Sequence, residues 1–171
     1  MTLSKLRPAL VSVVFLLCLQ ACKGGYSFTG TSISPDVKSV SISYINNMAP
    51  IVYPSLSNTL TEALKDKFTR NTRLDLIDEN GDLQFEGEIT NYDVTSMAVQ
   101  ANEVAATNRL TVTVKIRFTN NVDEKQSYDK SFSAYEDFSS TETLDAVQDQ
   151  LVVTIIEKLI EEIFNNAVAN W

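Results

Sequence analysis

The sequence predicts an α+β fold: a two-layer sandwich in which two amphipathic helices pack on one face of an antiparallel sheet of four to five strands. Three observations carry this expectation. Apolar residues alternate with polar ones at period two in several stretches, cleanest at Arg109 to Phe118. Two other stretches, Pro54 to Thr69 and Ser139 to Asn170, repeat apolar residues at helical spacing. The order along the chain is β-α-β-β-β-β-α, and a helix with one apolar stripe must bury it against another layer. With both helices on one side, the second face of the sheet is left polar and open.

The first 21 residues are set apart from that domain. Residues 1–8 hold Lys5 and Arg7 and no acid, and Ala9 to Leu19 is apolar apart from Ser12. This eleven-residue stretch matches the core of a secretory signal and falls well short of the roughly 20 apolar residues a spanning helix needs. Leu19-Gln20-Ala21-Cys22 resembles a bacterial lipobox, in which the cysteine becomes the lipidated first residue of the mature chain. Cys18 is discarded with the signal. Removing 21 of 171 residues leaves 150, and 12 basic residues then face 22 acids, a formal charge of −10. With Cys22 acylated, no thiol remains for a disulfide or a metal. Residues 22–36 read as a tether rich in Gly, Ser and Thr, with Tyr26 and Phe28 as its aromatic pair.

The domain spans 37–171. Val37 to Asn46 alternates, with Val40, Ile42 and Tyr44 on one face and Ser39, Ser41 and Ser43 on the other. The first helix starts at Pro54, where a missing N–H costs nothing, and carries Leu56, Leu60, Leu64 and Phe68 as its stripe. Arg73 to Asp78 is a short strand with Leu74 and Leu76 on one face. Asn80-Gly81 then reads as a tight turn. Leu83 to Gln100 is a long strand with Leu83, Phe85, Gly87 and Ile89 inward, and Asn91-Tyr92-Asp93 mark a bulge or bend. Residues 101–106 connect it to the 109–118 strand, whose inward face is Leu110, Val112, Val114, Ile116 and Phe118. Gln126 to Tyr135 follows with Tyr128, Phe132 and Ala134 inward. Ser139 and Glu142 form a capping-box signature for the last helix.

Composition excludes whole classes of function. The chain holds no histidine, so histidine-based triads, dyads and metal sites are all ruled out. A formal charge of −8 gives no basic face for nucleic acid. Neighbouring carboxylates such as Glu136 and Asp137 lack the alternating loop a calcium site needs, and no glycine-rich phosphate loop is present. We therefore expect no catalytic residue, no metal and no cofactor.

One feature of the open face stands out in so acidic a chain. Arg109, Lys115 and Arg117 line the outward side of a single strand. They suit contact with an anionic ligand such as a phosphorylated glycolipid, or with acidic groups of a partner. The plainer reading pairs them with Glu86 and Glu88 of the preceding strand, each pair worth about 0.2–1 kcal/mol. A second candidate is the Met97 to Ala106 end of the long hairpin, which either projects to make contacts or only covers the long helix.

Several runs resemble a known family. These are the lipobox cysteine with Gly25-Tyr26-Ser27-Phe28-Thr29-Gly30 close behind, Leu56 to Leu64, Gly81-Asp82-Leu83-Gln84-Phe85-Glu86-Gly87-Glu88-Ile89, Asn108 to Val112, and Ala167 to Trp171. Together they are similar to the LptE-type lipoproteins of the Bacteroidota branch. Lys23 and Gly24 lengthen the tether slightly against that pattern. The resemblance implies a two-helix sandwich held by lipid at the periplasmic leaflet of the outer membrane. It also implies a non-enzymatic role as a plug in the large LptD-type β-barrel of the lipopolysaccharide translocon, assisting barrel assembly and lipopolysaccharide delivery. It assigns no role to Arg109, Lys115 or Arg117, which rest on the strand pattern alone. The alternative function is a free-standing periplasmic ligand-binding or adaptor lipoprotein with no barrel partner. A hydrolase would need a convergent catalytic set that these residues do not supply.

Overall fold

The structure, a computed structural model, describes residues 33–97 and 106–168. Its elements are β1 (Ser39–Ile42), β2 (Asn46–Asn47), α1 (Leu56–Asn71), β3 (Asp75–Ile77), β4 (Leu83–Met97), β5 (Thr107–Asn120), β6 (Tyr128–Ser139) and α2 (Leu144–Val168), with a 3-10 turn at Glu124–Gln126. The fold is α+β, with six strands ordered β3-β1-β4-β5-β6 and β2 paired to β4.

The sheet is mixed, which corrects the expectation of an antiparallel one. β1 runs parallel to both β3 and β4, and β2 parallel to β4; only β4–β5 and β5–β6 are antiparallel. The cause is the connections. Helix α1 carries the chain back to the end where β1 began, so β3 must run in the same direction as β1. Residues 78–82 then cross to the other flank of β1 and return to its starting level. Leu76 and Leu83 therefore both stand opposite Val40, one on each side.

That crossover lies flat on β1. A Cβ on Gly81 would sit 2.6 Å from the Ser41 nitrogen and 2.8 Å from the Val40 carbonyl carbon. Only a residue without a side chain fits there. Asn80 takes a positive φ of 57°, while no described glycine does, so Gly81 is required for space and not for backbone sign. The Asn-Gly pair thus makes a crossover between parallel strands instead of the expected tight turn. Hydrogen bonds pin it. Gly81 N–H donates to Ser41 Oγ (3.2 Å) and Asp82 N–H to Ser39 Oγ (3.0 Å). The Asp82 carboxylate in turn accepts from Lys38 N–H (2.8 Å), Ser39 N–H (3.0 Å) and Ser39 Oγ (3.0 Å). Those donors, the Lys38 backbone first, hold its pKa below the ordinary carboxylate value. Ser41, expected on the outward face, is buried beneath this loop.

Both helices pack on the other face around one core. The α1 stripe of Leu56, Leu60, Leu64 and Phe68 is fully buried, each residue contributing about 1.5–3 kcal/mol. Thr61 lies buried beside it without cost to its hydroxyl, which donates to the Ser57 carbonyl (2.7 Å) and accepts from Ile45 N–H (3.1 Å). The end of α1 is closed by Thr72, whose N–H and hydroxyl both donate to the Phe68 carbonyl. From Val152 onward α2 buries a broad band including Ile155, Leu159, Ile163 and Phe164, because it meets α1 on one side and β6 on the other.

An aromatic row ties the layers. Phe164 of α2 meets Phe68 of α1 at 5.0 Å, and Phe68 meets Phe85 of β4 at 4.9 Å. Phe85, Phe118 and Tyr128 stand directly opposite one another across β4, β5 and β6, with ring centroids 4.9 and 5.0 Å apart. Such pairs add about 0.5–1.5 kcal/mol each beyond burial. Burial at the end of this row raises the Tyr128 phenol's pKa strongly.

Other departures are local. The first strand stops at Ile42, so Tyr44 turns outward, 54% exposed, and Ile45 takes the inward place. Leu76, on the edge strand β3, is 42% exposed. The β4 bulge falls at Ile89/Asn91 and shifts the inward set to Tyr92. Ser139 ends β6 rather than capping α2, which begins five residues later, and Glu142 N–H bonds the Ser139 carbonyl in a turn. The expectation for the Met97 to Ala106 end falls on residues 98–105, which lie outside the described residues. No described helix is long and apolar enough to cross a membrane.

Candidate partner-contact face of the sheet

The face turned away from the helices is built from alternate residues of three antiparallel-paired strands. On β5, Arg109, Thr111, Thr113, Lys115 and Arg117 point to it. Their register partners are Glu86, Glu88, Asn91, Asp93 and Thr95 on β4 and Asp129, Ser131, Ser133, Tyr135 and Asp137 on β6.

The three basic residues do not form one site. Six residues of strand, about 20 Å, separate Arg109 from Lys115. Arg109 is engaged by its β6 neighbours. Its Nε and Nη2 donate to the two carboxylate oxygens of Asp137 at 2.7 and 2.9 Å, and its guanidinium lies 3.7 Å above the Tyr135 ring. This fork raises the Arg109 pKa and lowers that of Asp137, in both cases mainly through the shared hydrogen bonds. Near the middle of the face, the Thr113 and Ser133 hydroxyls meet at 3.1 Å.

Lys115 and Arg117 do come together, around Asp129. Lys115 Nζ is 3.3 Å from Asp129, while Arg117 lies 3.6 Å from Glu86 and 4.0 Å from Asp129. Glu88 stands opposite Lys115 in register, yet the lysine pairs with β6 instead. These side chains remain roughly half exposed, so solvent screens their pairing and each contact is worth little. Beside them opens a groove of about 410 Å³, bounded on one flank by Asn46, Asn47 and Met48 and on the other by Lys115, Arg117 and Asp129. Met48 is 67% exposed. Asn47 Oδ1 accepts from Ala49 N–H (3.0 Å), while its buried Nδ2 has no partner among the described residues.

The groove holds three carboxylates, Glu86, Glu88 and Asp129, against two cations. A bare anion would meet net negative charge there. A polypeptide surface offering both donors and acceptors matches the arrangement better. Asp129 was legible from the alternation that puts Tyr128 and Phe132 inward, but its pairing depends on strand order. Asn47 ends the two-residue strand β2 and Met48 follows it, a stretch too short to show periodicity. Among the described residues, no group of three acids or cysteines is placed to hold a metal.

Among the described residues, both helices pack on one side of the sheet and the ion-paired face lies on the other. The LptE lipopolysaccharide-assembly model matches residues 37–167, and the chain belongs to that family, whose members are non-enzymatic lipoproteins of lipopolysaccharide assembly. Solved structures agree on the fold. A minor lipoprotein from Acinetobacter baumannii is similar with a TM-score of 0.52 at 17% identity, over 79% of this chain and 95% of that one. The hypothetical protein CT253 from Chlamydia trachomatis is similar with a TM-score of 0.55 at 9% identity, over 78% of this chain and 99% of that one. No curated protein matches the sequence.

Proposed function

We propose that the chain is an outer-membrane lipoprotein subunit of the lipopolysaccharide translocon. It is cleaved after residue 21, acylated on Cys22 and held by residues 22–36. Its sandwich domain occupies and helps assemble a large LptD-type β-barrel and assists delivery of lipopolysaccharide to the surface. Family membership over residues 37–167 is the observation that carries this reading. The open sheet face supports it. Lys115 and Arg117, with Asp129 between them, offer paired charges to the polar lumen wall of a barrel, and Arg109 extends the contact along β5. Contact with lipopolysaccharide itself at these residues would have to outcompete Glu86, Glu88, Asp129 and Asp137, so partner contact is the role we assign them.

The rival, a free-standing ligand-binding lipoprotein, would be favoured by an enclosed apolar pocket. The groove beside Met48 is open and mostly lined by charged and amide side chains. Purification of the tagged full-length chain in mild detergent separates the two. Recovery of a very large β-barrel partner is expected, and a chain that migrates alone under native conditions would remove the translocon role.

A further inference from the structure

The chain has one Asn-Gly pair, Asn80-Gly81, and it sits at the apex of the crossover on β1. In a flexible chain this dipeptide is the most reactive substrate for deamidation, because glycine puts no side chain in the way of its own amide nitrogen. The Gly81 nitrogen, deprotonated by hydroxide, attacks Asn80 Cγ. The N–Cγ bond forms, Cγ–Nδ2 breaks, and ammonia leaves with the proton it needs. Water then opens the five-membered imide at either carbonyl, giving an aspartyl or isoaspartyl residue and one more negative charge.

The backbone that must move in this reaction is tied down in the fold. Gly81 N–H is held by Ser41 Oγ at 3.2 Å. The Gly81 carbonyl accepts from Asn121 Nδ2 at 2.8 Å and Gln84 Nε2 at 3.3 Å, so the far side of the same residue is tied as well. Gly81 lies so close on the strand backbone that a Cβ there would stand 2.6 Å from Ser41 N and 2.8 Å from Val40 C, which leaves its peptide little room to turn. Asp82, one residue on, is clamped to Lys38 and Ser39. Asn80 itself is exposed, so its amide is open to solvent while its attacker is not.

We propose that Asn80 is a latent deamidation site, closed while residues 78–82 lie on β1 and reactive only when that crossover lifts. The isoaspartyl product carries an extra backbone carbon. That carbon lengthens a crossover whose Gly81 already lies close on the β1 backbone, so the isoaspartyl chain reseats less well than the aspartyl one. Modification therefore accumulates irreversibly with the time the crossover spends open.

The test is the rate of isoaspartate formation at residue 80 in the full-length chain, read by peptide mapping after incubation in mildly alkaline buffer. The native chain is expected to react at least about tenfold more slowly than the same chain unfolded in urea. Ser41→Ala and Asp82→Asn, each folded by far-UV circular dichroism, should speed the reaction. Ile155→Val, a cavity in α2 remote from the crossover, should leave it unchanged. Equal rates in native and unfolded chains would overturn the proposal. So would clamp variants that react at the native rate, or acceleration by Ile155→Val equal to theirs. Should Ser41→Ala fail to fold, Asp82→Asn carries the same comparison.

Discussion

Replacing Gly81 by alanine distinguishes the crossover from an ordinary hairpin turn by the sign of its effect. The φ of Gly81 is not in the left-handed region, so alanine suffers no backbone penalty. In a solvent-exposed turn the change would then stabilise by about 0.4–1 kcal/mol, through the unfolded chain. Here the new methyl carbon would stand 2.6 Å from Ser41 N and 2.8 Å from both Val40 C and Leu83 O. All three are backbone atoms in paired strands and cannot rotate away. Relief requires the loop to rise by several tenths of an ångström or more, which weakens the Gly81–Ser41 and Asp82–Ser39 hydrogen bonds and loosens the Asp82 clamp. Buried groups left partly unpaired cost about 1–3 kcal/mol each. Set against the entropic gain, the net loss is about 2–4 kcal/mol. Urea unfolding followed by far-UV circular dichroism should show the midpoint lowered by about 1–2 M, since m is about 1–3 kcal/mol/M for domains of this size. A Gly81→Ala chain as stable as the parent, or more stable, would refute the packing of this loop on β1.

The remaining expectations are more direct. Phe68→Ala empties the junction of α1, α2 and β4 and should cost about 3–5 kcal/mol in the same unfolding assay. Because the folded Asp82 pKa is depressed, the clamp's stabilisation is fully present above the ordinary carboxylate pKa of about 4 and is lost as pH falls through the lower folded value. Asp82→Asn should accordingly flatten the acid limb of the stability–pH curve. The double variant Lys115→Glu with Arg117→Glu gathers five acids around the groove. It should keep its far-UV spectrum yet lose retention of the barrel partner in detergent pull-downs; unaltered retention would leave these residues as surface ion pairs only. Cys22→Ser should move the chain from the membrane fraction to the soluble periplasmic fraction, as expected if acylation at Cys22 is the anchor.

How much of this was readable depends on whether a signal is local. Strand β5 alternates without a break because each residue has one buried or one open environment, and α1 shows its stripe because a single face is covered. Direction of pairing is not local. Asp75-Leu76-Ile77 offers three residues that would suit either orientation, and Asn80-Gly81 satisfies a hairpin as readily as a crossover. Glu142 follows Ser139 at capping-box spacing, yet β6 extends through Ser139 because Thr107 across the ladder remains paired to it. The candidate face was half legible. Outward placement of Arg109, Lys115 and Arg117 follows from period two, whereas Asp129 as their shared partner and Met48 on the groove wall follow only from which strands lie side by side.

The parallel setting of β1 has a mechanical meaning. The chain makes a turn at Pro35-Asp36, closed by Val37 N–H on the Ser34 carbonyl, and then enters β1, which is flanked by β3 and β4 and overlaid by the crossover. A pull arriving from the N-terminal side acts along the axis of that strand. It therefore loads the hydrogen bonds to both neighbours together, in shear, rather than peeling them one at a time from an edge. Lys38 and Ser39, just beyond that turn, are also the ones whose amides grip Asp82. With the anchor we propose at Cys22, the domain resists extraction at the point where tension enters, and β5 and β6, which do not pair with β1, stay outside the line of force.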